Sequence, residues 1–111
     1  MERGIRESDW KLFRELRAVA LDRFCHRTLV ELGRLANDST KSHHERYLMV
    51  LELLRRRDRE LADVFDNPRR STALLQLALV QSRALLSEEE FARFSPETRA
   101  LVGGIPGSWS S

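Results

Sequence analysis

The stretch SDWKLFRELRAVALDRFCHRTLVELGRL, residues 8–35, decides the fold. Its apolar residues are Trp10, Phe13, Leu16, Ala20, Leu21, Phe24, Cys25, Leu29, Leu32 and Leu35. Steps of three and four place such residues on one face of a helix, whereas a strand would alternate them. Arg14, Arg23, Arg27, Glu31 and Arg34 fall mainly off that stripe. No proline interrupts the run, and Gly33 costs only about 1 kcal/mol relative to alanine. Ser8 reads as the N-cap, with Asp9 adding negative charge at the positive helix end. The stripe drifts slowly, as it does on a long helix packed at a shallow angle.

Outward from this helix, residues 37–41 are a polar break, Asn-Asp-Ser-Thr-Lys. Ser42 and Glu45 then form a capping box that opens a second helix. Tyr47, Leu48, Val50, Leu51, Leu54, Leu61, Val64 and Phe65 read as its inner side. Glu52, Arg55, Arg56, Arg59, Glu60 and Asp63 read as its outer side. Asp66-Asn67-Pro68 ends it, with Asn67 as N-cap and Pro68 as first residue of a third helix. That helix, running to Ala84-Leu85-Leu86, is apolar almost all round, so it is expected to be buried on more than one face. Either the C-terminal segment or a second subunit must cover the surplus. Ser87 and Glu90 form another capping box, ahead of Phe91 and Phe94. Ser95-Pro96 opens a last short helix, and Gly103-Gly104 ends it.

The expected fold is therefore all-α. It is an antiparallel up-down-up three-helix bundle with one or two short C-terminal helices, because short loops join neighbouring helices. Residues 1–104 make one helical domain, and residues 105–111, which include Trp109, read as a flexible tail.

Composition narrows the function classes. The chain has 111 residues, 41% hydrophobic and 32% charged, the balance of a folded domain. The lone Cys25 cannot make an internal disulfide, and no run approaches the roughly 18 apolar residues of a membrane span. A cytoplasmic protein without membrane contact is the expectation. Seventeen of the nineteen basic residues are arginine, yet seventeen acidic residues nearly balance them. Guanidinium forks suit phosphate, but near-neutrality and interleaved Glu52, Glu60 and Asp63 make Arg55-Arg56-Arg57-Asp58-Arg59 a salt-bridged surface first. Nucleic-acid contact through helix-surface arginines is possible but not favoured.

Candidate sites are few. No motif for nucleophilic, phosphate-loop or zinc-protease chemistry is present, so no catalytic residue is named. Cys25-His26 and His43-His44 are adjacent pairs whose side chains diverge on a helix, so no metal or other cofactor is expected. Arg69, Arg70 and Ser71 open the expected third helix and could meet an anion or a partner. An internal carboxylate, from Glu97, Asp63 or Asp66, is the simpler match. Arg17 and Asp58 interrupt the inner stripes, and helical rise brings Gln76 level with them. They are expected to form a buried polar layer that fixes helix register, with a pocket for a small polar ligand as the alternative. The leading functional expectation is a small non-enzymatic protein that works by protein–protein contact as a homodimer. Its warrant at this level is the surplus apolar surface of the third helix.

Overall fold

A computed structural model of the chain describes residues 5–104. Those residues form five α-helices and one 3-10 turn, with no strand among them. The tail expected at 105–111 lies outside the described residues. Helix α1 spans Glu7–Ala36 and α2 spans His43–Phe65. The turn Arg70–Thr72 leads into α3, Ala73–Ser82. Helices α4, Glu88–Phe91, and α5, Pro96–Gly103, complete the order. No helix among the described residues is long and apolar enough to cross a membrane.

Local signals placed three of the helix starts. The Ser42 side chain accepts from the Glu45 N–H while the Glu45 carboxylate accepts from the Ser42 N–H. Ser87 and Glu90 repeat that box, and Ser95 caps α5 with Pro96 in its first turn. Two other starts differ from expectation. Helix α1 begins at Glu7 with Arg6 at the cap position, so Ser8 lies inside the first turn. Asn67 has φ 52°, a left-handed conformation in place of the extended one an N-cap needs, and α3 starts six residues later.

Asp9 does more than complement its own helix dipole. It is buried, and its Oδ1 accepts the Ser95 N–H at 3.0 Å. Its Oδ2 accepts the hydroxyls of Ser95 and Thr98 at 2.6 and 2.8 Å. The start of α1 is thereby tied to the start of α5. Burial alone would raise the Asp9 carboxyl, but the hydrogen bonds from Ser95 and Thr98 outweigh it and hold the group below its ordinary range.

The third helix is short. Expected to run through Leu86, it stops after ten residues. The Ala84 N–H returns to the Gln81 carbonyl at 2.9 Å and the Leu85 N–H to Val80 at 3.2 Å, a Schellman closure. Ala84 occupies the left-handed position at φ 52°, where glycine is usual. Arginines on α1 hold the strained turn. Arg27 donates to the carbonyls of Arg83 and Ala84 at 2.7 and 2.6 Å. Arg23 donates to the Leu85 carbonyl at 2.9 Å and forks onto Glu90 at 2.6 and 3.0 Å. The Arg23 guanidinium, with the Ser87 N–H, pulls the Glu90 carboxyl down to about 2.

The core sits at one end of the molecule. Phe13, Leu16, Ala20 and Phe24 of α1 meet Val64 and Phe65 of α2, Leu77, Ala78 and Val80 of α3, and Phe91, Phe94 and Val102 from the C-terminal segment. The surplus apolar surface of α3 is thus covered by the chain's own α1, α2 and α5. Leu75, 55% exposed, is its one large outward residue. Beyond Thr28 and before Arg57, α1 and α2 continue as a bare pair. The molecule is accordingly long, 56 × 25 × 24 Å, with a radius of gyration of 16.7 Å against about 13 Å for a compact chain of this size.

Two outcomes follow from these contacts. Ala84→Gly relieves the left-handed strain and should raise the unfolding free energy by roughly 1 kcal/mol in urea titration; a loss of stability would contradict the turn geometry. The folded-state carboxyls of Asp9 and Glu90 are both depressed, so their contribution is complete above about pH 5 and is lost as pH falls toward about 2. Asp9→Ala should cost about 2–3 kcal/mol at neutral pH and flatten the acid limb of that profile.

Candidate functional site

The bare half of the hairpin has two unlike faces. On one, Arg57 forks onto Glu31, with Nε–Oε1 at 3.1 Å and Nη2–Oε2 at 2.8 Å. Its Nη1 also reaches both oxygens of Glu60, at 3.1 and 2.9 Å. Arg83 adds a longer pair to Glu60 at 3.6 Å. The Glu31 carboxyl is held below its ordinary range, chiefly by its hydrogen bond from Arg57, and the Arg57 guanidinium is raised. This ion network is the seam between the helices.

The other face is an apolar groove. A concavity of about 180 Å³ is lined by Cys25, Leu29, Leu32, Leu54 and Leu61, with Arg57 and Asp58 also on its wall. One turn further along the hairpin a second, of about 220 Å³, is lined by Ala36, His43, Tyr47 and Val50. Leu29 is 66% exposed, Tyr47 65% and Leu54 47%. Counted along α2 from Tyr47 to Leu61, the groove runs about 21 Å at helical rise.

The groove results from a rotation of α2 relative to the orientation its apolar stripe implies. Tyr47, Leu48 and Leu54 are exposed, and Val50, Leu51 and Leu61 are only partly covered. The buried contact in mid-helix is Leu53, at 7% exposure, flanked by Arg57 and Arg46. Arg46 donates to the Ala36 carbonyl at 2.9 Å. Ion pairs and carbonyl bonds set the face that α2 turns to α1, so periodicity alone misassigned it. The signal available in the sequence was Glu31, Arg57 and Glu60, whose charges match across the hairpin.

The other candidate residues are dispersed. Arg17 donates to the Phe65 carbonyl and lies 5.8 Å over the Phe65 ring. Gln76 donates to the Asp66 carbonyl at 2.8 Å. Both therefore close the end of α2. Asp58 is exposed, two turns back along α2, so the expected polar layer of Arg17, Asp58 and Gln76 does not form. Arg17 found a carbonyl instead, because an unmatched helix end needs donors. Arg70 is answered by Glu7 at 3.0 Å and donates to the Ile5 carbonyl at 2.7 Å. The carboxylates named from sequence do not serve it, and Glu97 pairs with Arg6. Arg69 and Ser71 are exposed. Arg55, Arg56 and Arg59 are exposed, whereas Arg57 is taken up in the seam. His26, His43 and His44 are exposed, and no three metal-ligating side chains cluster among the described residues.

Paired truncations test the rotation. Leu53→Ala should cost about 2–4 kcal/mol in urea unfolding at submicromolar concentration, and Leu54→Ala under about 1 kcal/mol. Equal costs would mean that α2 faces α1 with the stripe after all.

Comparison of the chain with protein-family models, with curated proteins and with solved structures finds no match.

Proposed function

We propose that this chain is a non-enzymatic helical protein that acts by docking a protein surface into the groove between α1 and α2. The observation that carries this reading is the outward apolar stripe of α2. An amphipathic helix normally turns such a stripe to its core, but here Tyr47, Val50 and Leu54 border an open groove with Leu29 and Leu32. A groove between two helices, walled by aliphatic side chains and rimmed by charge, is the usual receptor for an amphipathic helix. Scattered exposed leucines need no explanation, but a contiguous row of them on a rigid pair marks a contact surface.

The sequence pattern of an up-down-up bundle fits the same reading. At the core end, α3 packs against both long helices. Past Thr28 the pair continues without it, and we infer that a partner's helix supplies the third side. Leucine, valine and tyrosine walls ask nothing chemical of the occupant beyond shape and apolar surface.

Position-specific photo-crosslinking in expressing cells tests the proposal. A photoreactive residue at position 29 or 54 should give protein adducts, and one at the exposed Lys11, on the core end, should give few. Equal yields at the three positions, or none at 29 and 54, would remove the groove as a docking site.

A further inference from the structure

A hollow of about 490 Å³ opens between the end of α3, α4 and α5, at the core end of the molecule and away from the groove. Its volume falls within the roughly 300–1,000 Å³ of small-molecule sites. We propose that it binds a free amino acid with an apolar side chain, in the zwitterionic form.

Two short helical faces make the hollow. Glu88, Phe91 and Ala92 line it from α4 and the residue that follows it, and Pro96, Arg99 and Ala100 line it from α5. Each triplet has the i, i+3, i+4 spacing that sets three side chains on one helix face. The two alanines hold the same place in the two triplets, and their small side chains leave the space open. Phe91, itself buried, and Pro96 give the walls apolar surface. Gln81, from the last turn of α3, completes the lining.

Three polar groups in this lining lack a partner from the chain. Gln81 is 7% exposed, and its Oε1 has no hydrogen-bond partner among the described residues. Buried amides are nearly always paired, so this oxygen is short of one donor. The Arg99 Nε donates to the Phe94 carbonyl at 3.1 Å, which holds the guanidinium in place. Its two terminal nitrogens have no acceptor among the described residues, and that end of the fork matches a carboxylate. Glu88, on the other wall, has no ion-pair partner among the described residues. Glu88 and Arg99 carry the only charges among the described residues of the lining, one of each sign, and they do not pair with each other.

A ligand that answers all three groups needs a carboxylate for Arg99, an ammonium group for Glu88 and Gln81, and an apolar body for Phe91 and Pro96. The Gln81 amide meets the ammonium by turning about its last side-chain torsion, which is a soft one. A free amino acid sets both charges on one carbon, whereas either end of a peptide chain offers only one of them.

Proton–nitrogen correlation spectra of the labelled full chain, titrated with L-leucine, L-methionine, L-phenylalanine and L-tryptophan, test this. At least one should saturate with a Kd below about 1 mM. The shifts should centre on residues 81, 88–92 and 96–100 and include the side-chain amide of Gln81. The matching amine without a carboxylate, and the matching acid without an ammonium group, should each bind about tenfold more weakly or worse. Arg99→Gln should weaken binding about tenfold and Glu88→Gln about threefold, and Ala100→Leu should abolish it. All three variants should keep their helical circular dichroism, since none of these side chains belongs to the core. Gln81→Met should weaken binding without lowering Tm, because it removes an unpaired buried polar atom. No saturation by any of the four amino acids up to about 10 mM overturns the proposal. So do shifts centred elsewhere, or binding that Arg99→Gln or Ala100→Leu leaves intact.

Discussion

Arg23 and Arg27, one turn apart on α1, hold the carbonyls of residues 83, 84 and 85, and the shape of the molecule depends on that grip. Without it the apolar run from Ala73 to Leu86 has no glycine or proline to stop it. Helix propensity would carry it another turn along the hairpin. The clamp makes a left-handed alanine tolerable, because several charged hydrogen bonds together offset the roughly 1–2 kcal/mol cost of the conformation. It turns the chain back, places Ser87 to start α4, and sets Glu90 within reach of Arg23. The C-terminal segment can then wrap α3 and reach Asp9. Stopping α3 there also leaves the outer half of the hairpin as two helices alone.

The same chemistry accounts for the arginine content. Among the described residues, six arginines donate to backbone carbonyls at breaks in the chain. Arg17 reaches Phe65, Arg23 Leu85, Arg27 Arg83 and Ala84, Arg46 Ala36, Arg70 Ile5 and Arg99 Phe94. Each site is at or beside a helix end, where carbonyls lack intrahelical partners. A guanidinium can meet two acceptors at once and never loses its proton, which lysine cannot match. Composition alone suggested phosphate contact for these residues. Their positions give many of them work inside the fold.

How much was legible from sequence follows from the range of each interaction. The capping boxes at Ser42 and Ser87 and the Ser95-Pro96 start lie within four residues, so they could be read directly. The ends of α2 and α3 could not. Asn67 and Ala84 adopt left-handed backbone for reasons held by Gln76, Arg17, Arg23 and Arg27, the last three far away in sequence. Asp9 read as a dipole partner because its true partners, Ser95 and Thr98, lie more than 80 residues along the chain. The candidate layer of Arg17, Asp58 and Gln76 failed at Asp58 for a related reason. Helical rise predicts which residues are level, but the rotation of α2 decides which point inward, and Arg57 rather than Leu54 faces α1.

That rotation carries an energetic consequence. Turning α2 so that its leucines met α1 would bury Leu54 and Val50, at about 1.5–3 kcal/mol for each fully buried side chain. It would also break the Arg57 seam and expose Leu53. A half-exposed ion network is worth little on its own, about 1 kcal/mol per pair or less. A lone hairpin optimised only for its own stability would therefore be expected to choose the leucines. The proposed docking at the groove would cover these leucines as well, so that seam and stripe both contribute. Under that proposal, the preference for Arg57 inward and Leu54 outward would belong to the complex as much as to the chain alone.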